Sequence, residues 1–513
     1  MNGEAGDDDR RRRRLAYAWA ALGGVVYFLG WAGFGIWPLA LVSLIPLLIA
    51  LELCPKRPWS TAFKVSLVYG TVMIAGGYHW LIEFFVVFSG YGLGPSLFFW
   101  LAFSTFIGGQ YAIYGLLYHA ARRRGWSVVG SAIPPWLALE WLYPKLFPVY
   151  LANSFAQLPL TVQVADLGGP LLISFVAVLI NVTLFELLRW ARGQRTAPRA
   201  IVLSAVACIA LTLGYGAVRI PQVEAAMAAS PPLEVGIVQV NMGIFEKRQD
   251  AAEGHRRHLE QSLELESEGE LDLLVWPESA YVRSLPRDLP FRGDRVRRDV
   301  RTPILFGGIS RGVEDGEPRV YNTAFLMDGD GDVRASYDKT YLLMFGEYLP
   351  FGDVFPWLYD LSPNSGRFTA GDHVEPLEFG EWRLSTPVCY EDVLPDFTRA
   401  MVQEGNPHLL VNITNDAWFG DTQEPWIHLV LAQFRAVEHR RYLVRATNSG
   451  ISSIVDPVGR IVARTGVMTR ENLRAEVHMM DGSTVYTRLG NWPGWLALVG
   501  TVWLLIARRP SAK

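Results

Sequence analysis

The sequence predicts a polytopic α-helical membrane domain of about eight transmembrane helices together with an α/β domain. Three observations predict this. Only 19% of the 513 residues are charged and 50% are hydrophobic, against roughly 25% charged in an average soluble chain. The apolar residues are concentrated in about the first 220 positions and again in 492–506, whereas 231–486 is charged at ordinary soluble density. Within that charged stretch, short apolar runs alternate with helical patterns, as in an α/β fold. At 57.4 kDa the chain is too long for one ordinary domain. The expected division is residues 1–225, a transmembrane domain of about seven helices; 226–486, an extracytoplasmic α/β domain; and 487–513, a last transmembrane helix with a short cytoplasmic tail. A net charge of −3 supplies no field for a polyanion, so a nucleic-acid partner is not expected. Three cysteines do not make a disulfide framework.

Crossing a ~30 Å hydrocarbon core takes about 17–25 apolar residues. Candidate spans fall at 15–30, 36–53, 63–88, 96–121, 128–143, 171–188, 201–218 and 492–506. Arg and Lys accumulate in cytoplasmic loops, and here they cluster at Arg10–Arg14, Lys56–Arg57, Arg122–Arg124, Arg189–Arg199 and Arg508–Arg509. Every cluster falls on one side of that helix count. The reading is therefore cytoplasmic termini, an uncleaved first helix and an α/β domain outside. Lys64, His79, Glu83, Glu140, Asp166 and Glu186 lie mostly toward span ends, where side chains snorkel, so no ion-conducting path is expected.

In the α/β domain, strands are expected at 233–240, 271–275, 303–306, 320–327, 333–337, 384–389, 408–414, 442–447, 452–456 and 461–464. Helices are expected at 251–268, 397–404 and 424–441. Near-continuous apolar runs such as Leu271–Val275 and Leu409–Ile413 suit strands buried on both faces. An Ala-rich stretch ending in Ser230-Pro-Pro232 reads as the linker out of the membrane.

Cys54 and Cys208 fall in apolar spans and read as small fillers. Cys389 differs: it follows an apolar strand and precedes Tyr390, Glu391 and Asp392. A lone thiol on an oxidising side of a membrane points to a nucleophile. A nucleophile needs a proton acceptor and a group to balance an oxyanion. Glu278 follows the strand Leu274-Val-Trp-Pro and Lys339 follows Val333-Arg-Ala-Ser-Tyr-Asp. Each of the three ends an expected strand, and strand C-terminal ends are where α/β folds build sites. Two other motifs fail on context. Gly308-Ile-Ser-Arg-Gly312 has no helix after its Ser, as a serine nucleophile elbow requires. Asp328-Gly-Asp-Gly-Asp332 has Val333 and Lys339 where a calcium loop needs Gly and Glu, so it reads as a hairpin turn. The nine histidines show no paired ligand spacing, and no catalytic metal is expected.

Trp276-Pro-Glu278, Lys339 with Phe345-Gly-Glu-Tyr-Leu-Pro350, Pro387-Val-Cys-Tyr-Glu391 and Asn415-Asp-Ala-Trp-Phe-Gly420 together resemble the nitrilase superfamily and its Glu-Lys-Cys triad. With His428, Arg435, Thr447-Asn448 and the helical part, the chain resembles the apolipoprotein N-acyltransferase family over essentially its whole length. That resemblance implies an αββα sandwich and transfer of a fatty acyl chain from a phospholipid to the α-amine of a diacylglyceryl-cysteine at a lipoprotein N-terminus. It also implies a site on the periplasmic side of a bacterial cytoplasmic membrane, with no cofactor. It assigns Glu278 as base, Lys339 as oxyanion support and Cys389 as the thioester-forming nucleophile. Glu347 takes the role of an additional buried carboxylate, and Tyr390 and Glu391 that of supporting residues. Trp276, Trp357 and Trp418 are candidates for lining the lipid access. Tyr341, Met344 and the segment Phe147-Pro-Val-Tyr150 depart from the family pattern. A membrane-tethered amidase or nitrile hydrolase, or an idle scaffold of the same fold, are the alternatives.

Overall fold

A computed structural model describes residues 2–53, 58–314, 316–362 and 364–507. Cys54, Lys56, Arg57, Arg508 and Arg509 lie outside the described residues. The chain forms two compact units: Met1–Ile82 with Gly92–Arg219 and Leu489–Lys513, and Glu83–Tyr91 with Ile220–Arg488.

The first unit is helical, and a helix stands at each of the eight expected positions. Among the described residues only Leu93–Arg123, Ala165–Ala191 and Arg199–Ala229 are long and apolar enough to cross a membrane. A fourth span is possible if Trp59–Gly77 and Leu81–Val87, bent by 58°, act as one. The expected eight are therefore met only in part: the 28-residue helix Asn2–Leu29 carries Asp7 to Arg14 in its first half, and others are short. Val128–Leu142 and Trp492–Ile506 have 15 residues each, a rise of about 22 Å against a ~30 Å core. The buried carboxylates of this unit sit near helix ends and are paired. Asp166 meets Arg219 at 2.9 Å and Glu186 meets Arg189 at 3.0 Å, while Glu140 accepts the Leu151 N–H at 2.6 Å. Trp59–Gly77 and Leu93–Arg123 approach through glycine, since a Cβ on Gly70 would lie 2.5 Å from the Gly108 carbonyl oxygen.

The second unit is a sandwich. Among the described residues its strands are β1 Pro232–Gln239, β2 Leu273–Val275, β3 Tyr281–Pro286, β4 Phe291–Arg292, β5 Ile304–Glu314, β6 Glu317–Met327, β7 Asp332–Asp338, β8 Leu377–Phe379, β9 Trp382–Ser385, β10 Leu409–Thr414, β11 Leu443–Thr447, β12 Ser453–Val455, β13 Ile461–Arg464 and β14 Glu471–His478. One sheet runs β14-β1-β2-β5-β6-β7-β4 with β3 beside β5, and the other β13-β12-β11-β10-β9-β8. β1, β2 and β5 are mutually parallel in sequence, as are β9, β10 and β11.

Period-two alternation assigns the faces. In β2, Leu273 and Val275 face the inter-sheet core, together with Leu384, Val411, Ile413 and Val444 of the other sheet. Leu274 and Trp276 face outward, packing with Phe306 and Leu265, the last from the helix Ala251–Glu268. On the far face of the second sheet, Leu410 and Leu443 meet Leu429 and Ala432 of the helix Glu424–His439. Helix, sheet, sheet, helix is the layer order these contacts require.

Several expectations are corrected. β3, β4, β8 and β14 were not expected; β14 carries Glu471, Arg474 and Glu476 on a sheet edge, where half the side chains meet water and no apolar run marks the strand. The strand expected at 303–306 continues to Glu314 and absorbs Gly308–Gly312. The Ala-rich stretch expected as a linker is helical to Ala229, and β1 begins at Pro232. The hairpin at Asp328 is as expected, with Asp328 Oδ1 accepting the N–H of Asp330 at 3.0 Å and of Asp332 at 2.9 Å.

Gly307 in β5 decides where Glu278 can sit. A Cβ there would lie 2.6 Å from Glu278 Cα, 2.7 Å from Ser279 N and 2.8 Å from Pro277 O, all backbone atoms. Gly307→Ala should destabilise the protein by about 1–3 kcal/mol, as overpacking does. Thermal unfolding in detergent checks this, and an unchanged midpoint would mean the 277–279 turn moves freely.

Candidate active site

Glu278, Lys339 and Cys389 converge from two sheets. Glu278 lies in the turn after β2, followed by Ser279 at φ +53°. Lys339 comes directly after β7, its N–H bonded to the Asn322 carbonyl at 2.8 Å. Cys389 opens the short 3-10 turn Cys389–Val393 after β9. The strand ends that carry them are not neighbours within one sheet. β5 and β6 separate β2 from β7, and β9 belongs to the opposite sheet. A sandwich brings the ends of its two sheets together, so residues far apart within a sheet share one place.

Lys339 Nζ lies 2.7 Å from Glu347 Oε2 and 3.7 Å from Glu278 Oε1. Asn322 Nδ2, from β6, donates to Glu278 Oε1 at 2.6 Å and to Glu347 Oε1 at 2.8 Å. Glu347 also accepts the Leu343 N–H at 2.8 Å. The Cys389 thiol lies close enough to Glu278 for each to shift the other's titration. Cys389 adopts φ +52°, a left-handed conformation that costs a non-glycine residue on the order of 1–2 kcal/mol. Asn412 of β10 holds that turn by donating to the Pro387 carbonyl at 3.0 Å and the Cys389 carbonyl at 3.2 Å.

Glu391 ties the Cys389 turn to the Lys339 turn. Its Oε2 accepts the Val388 N–H at 2.7 Å. Its Oε1 accepts from the Tyr337 hydroxyl and the N–H groups of Thr340 and Tyr341, each at 2.8 Å. Tyr390 lies buried on the same turn, its ring 5.9 Å from that of Tyr341. Trp418 sits half-buried at the end of the turn Asp416–Trp418, and the next residue, Phe419, stacks on Phe84 at 5.8 Å. Trp357 is 56% exposed. Trp276 does not line the site: it is fully buried in the core, donating to Ser262 Oγ at 2.9 Å.

Burial raises the Glu278 carboxyl, the neighbouring Lys339 ammonium lowers it and Glu347 raises it again, and the net direction is up. Burial pushes the Cys389 thiol well up and Glu278 adds to this, against Lys339. Burial also works against the Lys339 charge, but the surrounding acids, Glu347 first, hold its affinity for a proton above the usual lysine value. Glu391 is pushed up to about 7 by burial, with Lys339 and its backbone donors opposing. The arrangement is a buried carboxyl beside a thiol that favours its proton, with a buried lysine at hand.

Sequence reasoning missed Asn322 and Asn412. The available signal was polar residues inside otherwise apolar strands, Tyr321-Asn-Thr323 in β6 and Val411-Asn-Ile413 in β10. Asp416, Glu424 and His428 offer ligand atoms within 4.8 Å of one another. The Arg445 guanidinium on Asp416, and an imidazole whose two nitrogens both face carboxylates, make this an ion-pair cluster instead. Arg435 is bound to Glu438 at 2.6 Å.

Residues 234–483 match the carbon-nitrogen hydrolase family, and residues 23–183 the apolipoprotein N-acyltransferase N-terminal domain. An apolipoprotein N-acyltransferase of Geobacter metallireducens is 33% identical, the match covering 97% of this chain and 96% of the relative. One of Azotobacter vinelandii is 32% identical over 96% and 95%. Among solved structures, Saccharomyces cerevisiae Nit3, a member of branch 10 of the nitrilase superfamily, matches 52% of this chain and 96% of its own at 17% identity with a TM-score of 0.39.

Asn322→Ala removes a donor that favours the ionised form of Glu278. The Glu278 carboxyl then rises further, so it keeps its proton to higher pH and withdraws a charge that holds the Cys389 thiol up. The pH profile of Cys389 alkylation by N-ethylmaleimide should move downward. An unmoved profile would remove Asn322 from the electrostatics of the site.

Proposed function

This chain belongs to the apolipoprotein N-acyltransferase family, and from that premise we propose that it moves an acyl chain from a membrane phospholipid to the α-amine of a lipoprotein's diacylglyceryl-cysteine. The observation that carries the reading is the meeting of Glu278, Lys339, Glu347 and Cys389 in one buried place, within a chain similar to such enzymes from end to end.

In the proposed cycle Glu278 accepts the Cys389 proton as sulfur attacks the donor's ester carbonyl. The Lys339 ammonium balances the charge that develops on the carbonyl oxygen. As the C–O bond breaks, Glu278 returns its proton to the leaving lyso-lipid oxygen, and the acyl group rests on Cys389 as a thioester. The acceptor ammonium then gives a proton to Glu278, and its neutral nitrogen attacks the thioester. Thiolate leaves and is reprotonated by Glu278, and the second proton of the nitrogen then passes to Glu278 and on to solvent as the amide forms. Glu347 holds Lys339 in place throughout, and Glu391 fixes the backbone around it. The raised base suits both halves, because it must accept a proton and give it back near neutral pH.

Lipid as the substrate fits the surface beside the site. Met344, Phe345, Phe351, Val354, Phe355 and Trp357 are between 38% and 74% exposed. A soluble surface rarely carries such a run of large apolar side chains without a partner, and acyl chains are a partner that would cover it. We assign the helices of the first unit to eight passes of the bacterial cytoplasmic membrane. The clusters at Arg10–Arg14, Arg122–Arg124 and Arg189–Arg199 then face the cytoplasm, and residues 226–486 lie on the periplasmic side.

Incubation with phospholipid should add an acyl mass to the native protein, labile to hydroxylamine, and none to Cys389→Ala. A diacylated lipopeptide with a free N-terminus should discharge that adduct and acquire the acyl group. An adduct that discharges as fast to water would establish the hydrolase, and no adduct would leave the idle scaffold.

A further inference from the structure

Beneath the nucleophile turn lies a closed ring of buried charge. His428 Nδ1 is 3.0 Å from Asp416 Oδ1, and its Nε2 is 3.0 Å from Asp392 Oδ1. Arg445, in β11, reaches the remaining oxygens, with Nε 3.4 Å from Asp392 Oδ2 and Nη2 3.2 Å from Asp416 Oδ2. No member is more than 4% exposed. A histidine with both nitrogens against carboxylate oxygens carries both protons. Burial and Arg445 lower the affinity of His428 for its second proton, but the two aspartates prevail and take its pKa to about 10. Glu424, whose Oε1 lies 3.9 Å from His428 Nδ1, is pushed well up by burial and by Asp416. The four members of the ring pair two carboxylates with two cations.

Its members sit on elements that flank Cys389. Asp392 belongs to the turn Cys389–Val393 and Asp416 to the turn Asp416–Trp418. Gly450 keeps the space Asp416 needs, since a Cβ there would lie 2.1 Å from Asp416 Oδ2. The charged groups that face Cys389 are Glu278, Lys339 and Asp416, with Glu391 and Asp392 on its own turn. Those that face His428 are Asp392, Asp416, Glu424 and Arg445.

We propose that the Asp392–His428–Asp416–Arg445 ring positions the Cys389 nucleophile, locking its turn to the Asp416–Trp418 turn and cancelling at the thiol the negative charge of Asp416. His428 is the pivotal positioning residue, because its two nitrogens join the two turns. It exchanges no proton with substrate. The inference rests on the reading of Cys389 as nucleophile.

The test is the pH dependence of Cys389 alkylation by N-ethylmaleimide in the full-length protein, read on the Cys389 peptide by mass. His428→Asn leaves the ring with one excess negative charge, so thiolate formation is disfavoured. The profile should rise by about one pH unit, about tenfold slower alkylation at pH 8. Asp416→Asn leaves an excess positive charge and should move the profile the opposite way. The His428→Asn/Asp416→Asn pair restores neutrality and should return the profile toward the native position. A merely structural role predicts that the double variant is at least as disturbed as either single one. An unmoved profile in Asp416→Asn, or a double variant that stays displaced like His428→Asn, overturns the proposal. Should His428→Asn fail to fold, the downward shift of Asp416→Asn decides alone. Alkylation needs neither lipid donor nor acceptor, so a protein with these shifts that takes no acyl group would refute the acyltransferase cycle and leave the ring standing.

Discussion

A lysine with almost no exposure cannot hold its charge without close anions, and Lys339 has two, Glu347 at 2.7 Å and Glu278 at 3.7 Å. Much of the catalytic unit follows from that constraint. Two carboxylates that share one ammonium repel each other, and Asn322 lies between them, donating one amide nitrogen to both. Glu278 reaches this place only because β5 carries a glycine against its backbone. Glu347 reaches it from the segment whose apolar side chains stand exposed. The lysine therefore ties the rigid sheet to the surface where lipid is proposed to arrive.

Cys389 faces the same constraint with opposite sign. Its thiol is buried near two anionic groups and one cation, so an isolated thiolate is costly and sulfur gains charge only as its proton passes to Glu278. That couples ionisation to the presence of an electrophile. The φ of +52° at Cys389 sets the direction of the thiol, and three restraints hold it: Asn412 on the carbonyls, Glu391 on the Val388 N–H and the charge ring through Asp392. Strain of this kind persists where surroundings over-determine it.

What the sequence disclosed follows from the same physics. Glu278, Lys339 and Cys389 were legible because a titratable side chain just past an apolar strand is unusual, and one sequence position marks it. Glu347 was legible only through its motif, since nothing in Phe345-Gly-Glu-Tyr tells of a salt bridge to a strand end. Asn322 and the charge ring were not legible, because their meaning lies in partners 44 or 53 positions away in the chain. Strands fared likewise: β10 shows itself as Leu409-Leu-Val-Asn-Ile-Thr414, buried throughout, while β14 is half-polar and is recognised only through its register with β1. The helices were found but not their lengths. The chain bends by 58° between Trp59–Gly77 and Leu81–Val87, and Gly168 and Gly169 break the helical backbone before Pro170.

In the proposed cycle, transfer to an amine competes with hydrolysis of the same thioester. Water at about 55 M in bulk competes with any amine, so a transferase must keep water scarce at the thioester and bring its acceptor in along an apolar path. Here the interior around Cys389 is closed by packed side chains and satisfied carboxylates, with no member of the charge ring more than 4% exposed. Phe345, Phe351 and Phe355 stand exposed on the segment that carries Glu347, groups that favour acyl chains over water. An acceptor carrying its own acyl chains would be admitted by that surface, whereas a small polar amide gains nothing from it. The proposed preference for transfer then lies less in Glu278, Lys339 and Cys389 than in the exposed apolar side chains of the segment that carries Glu347.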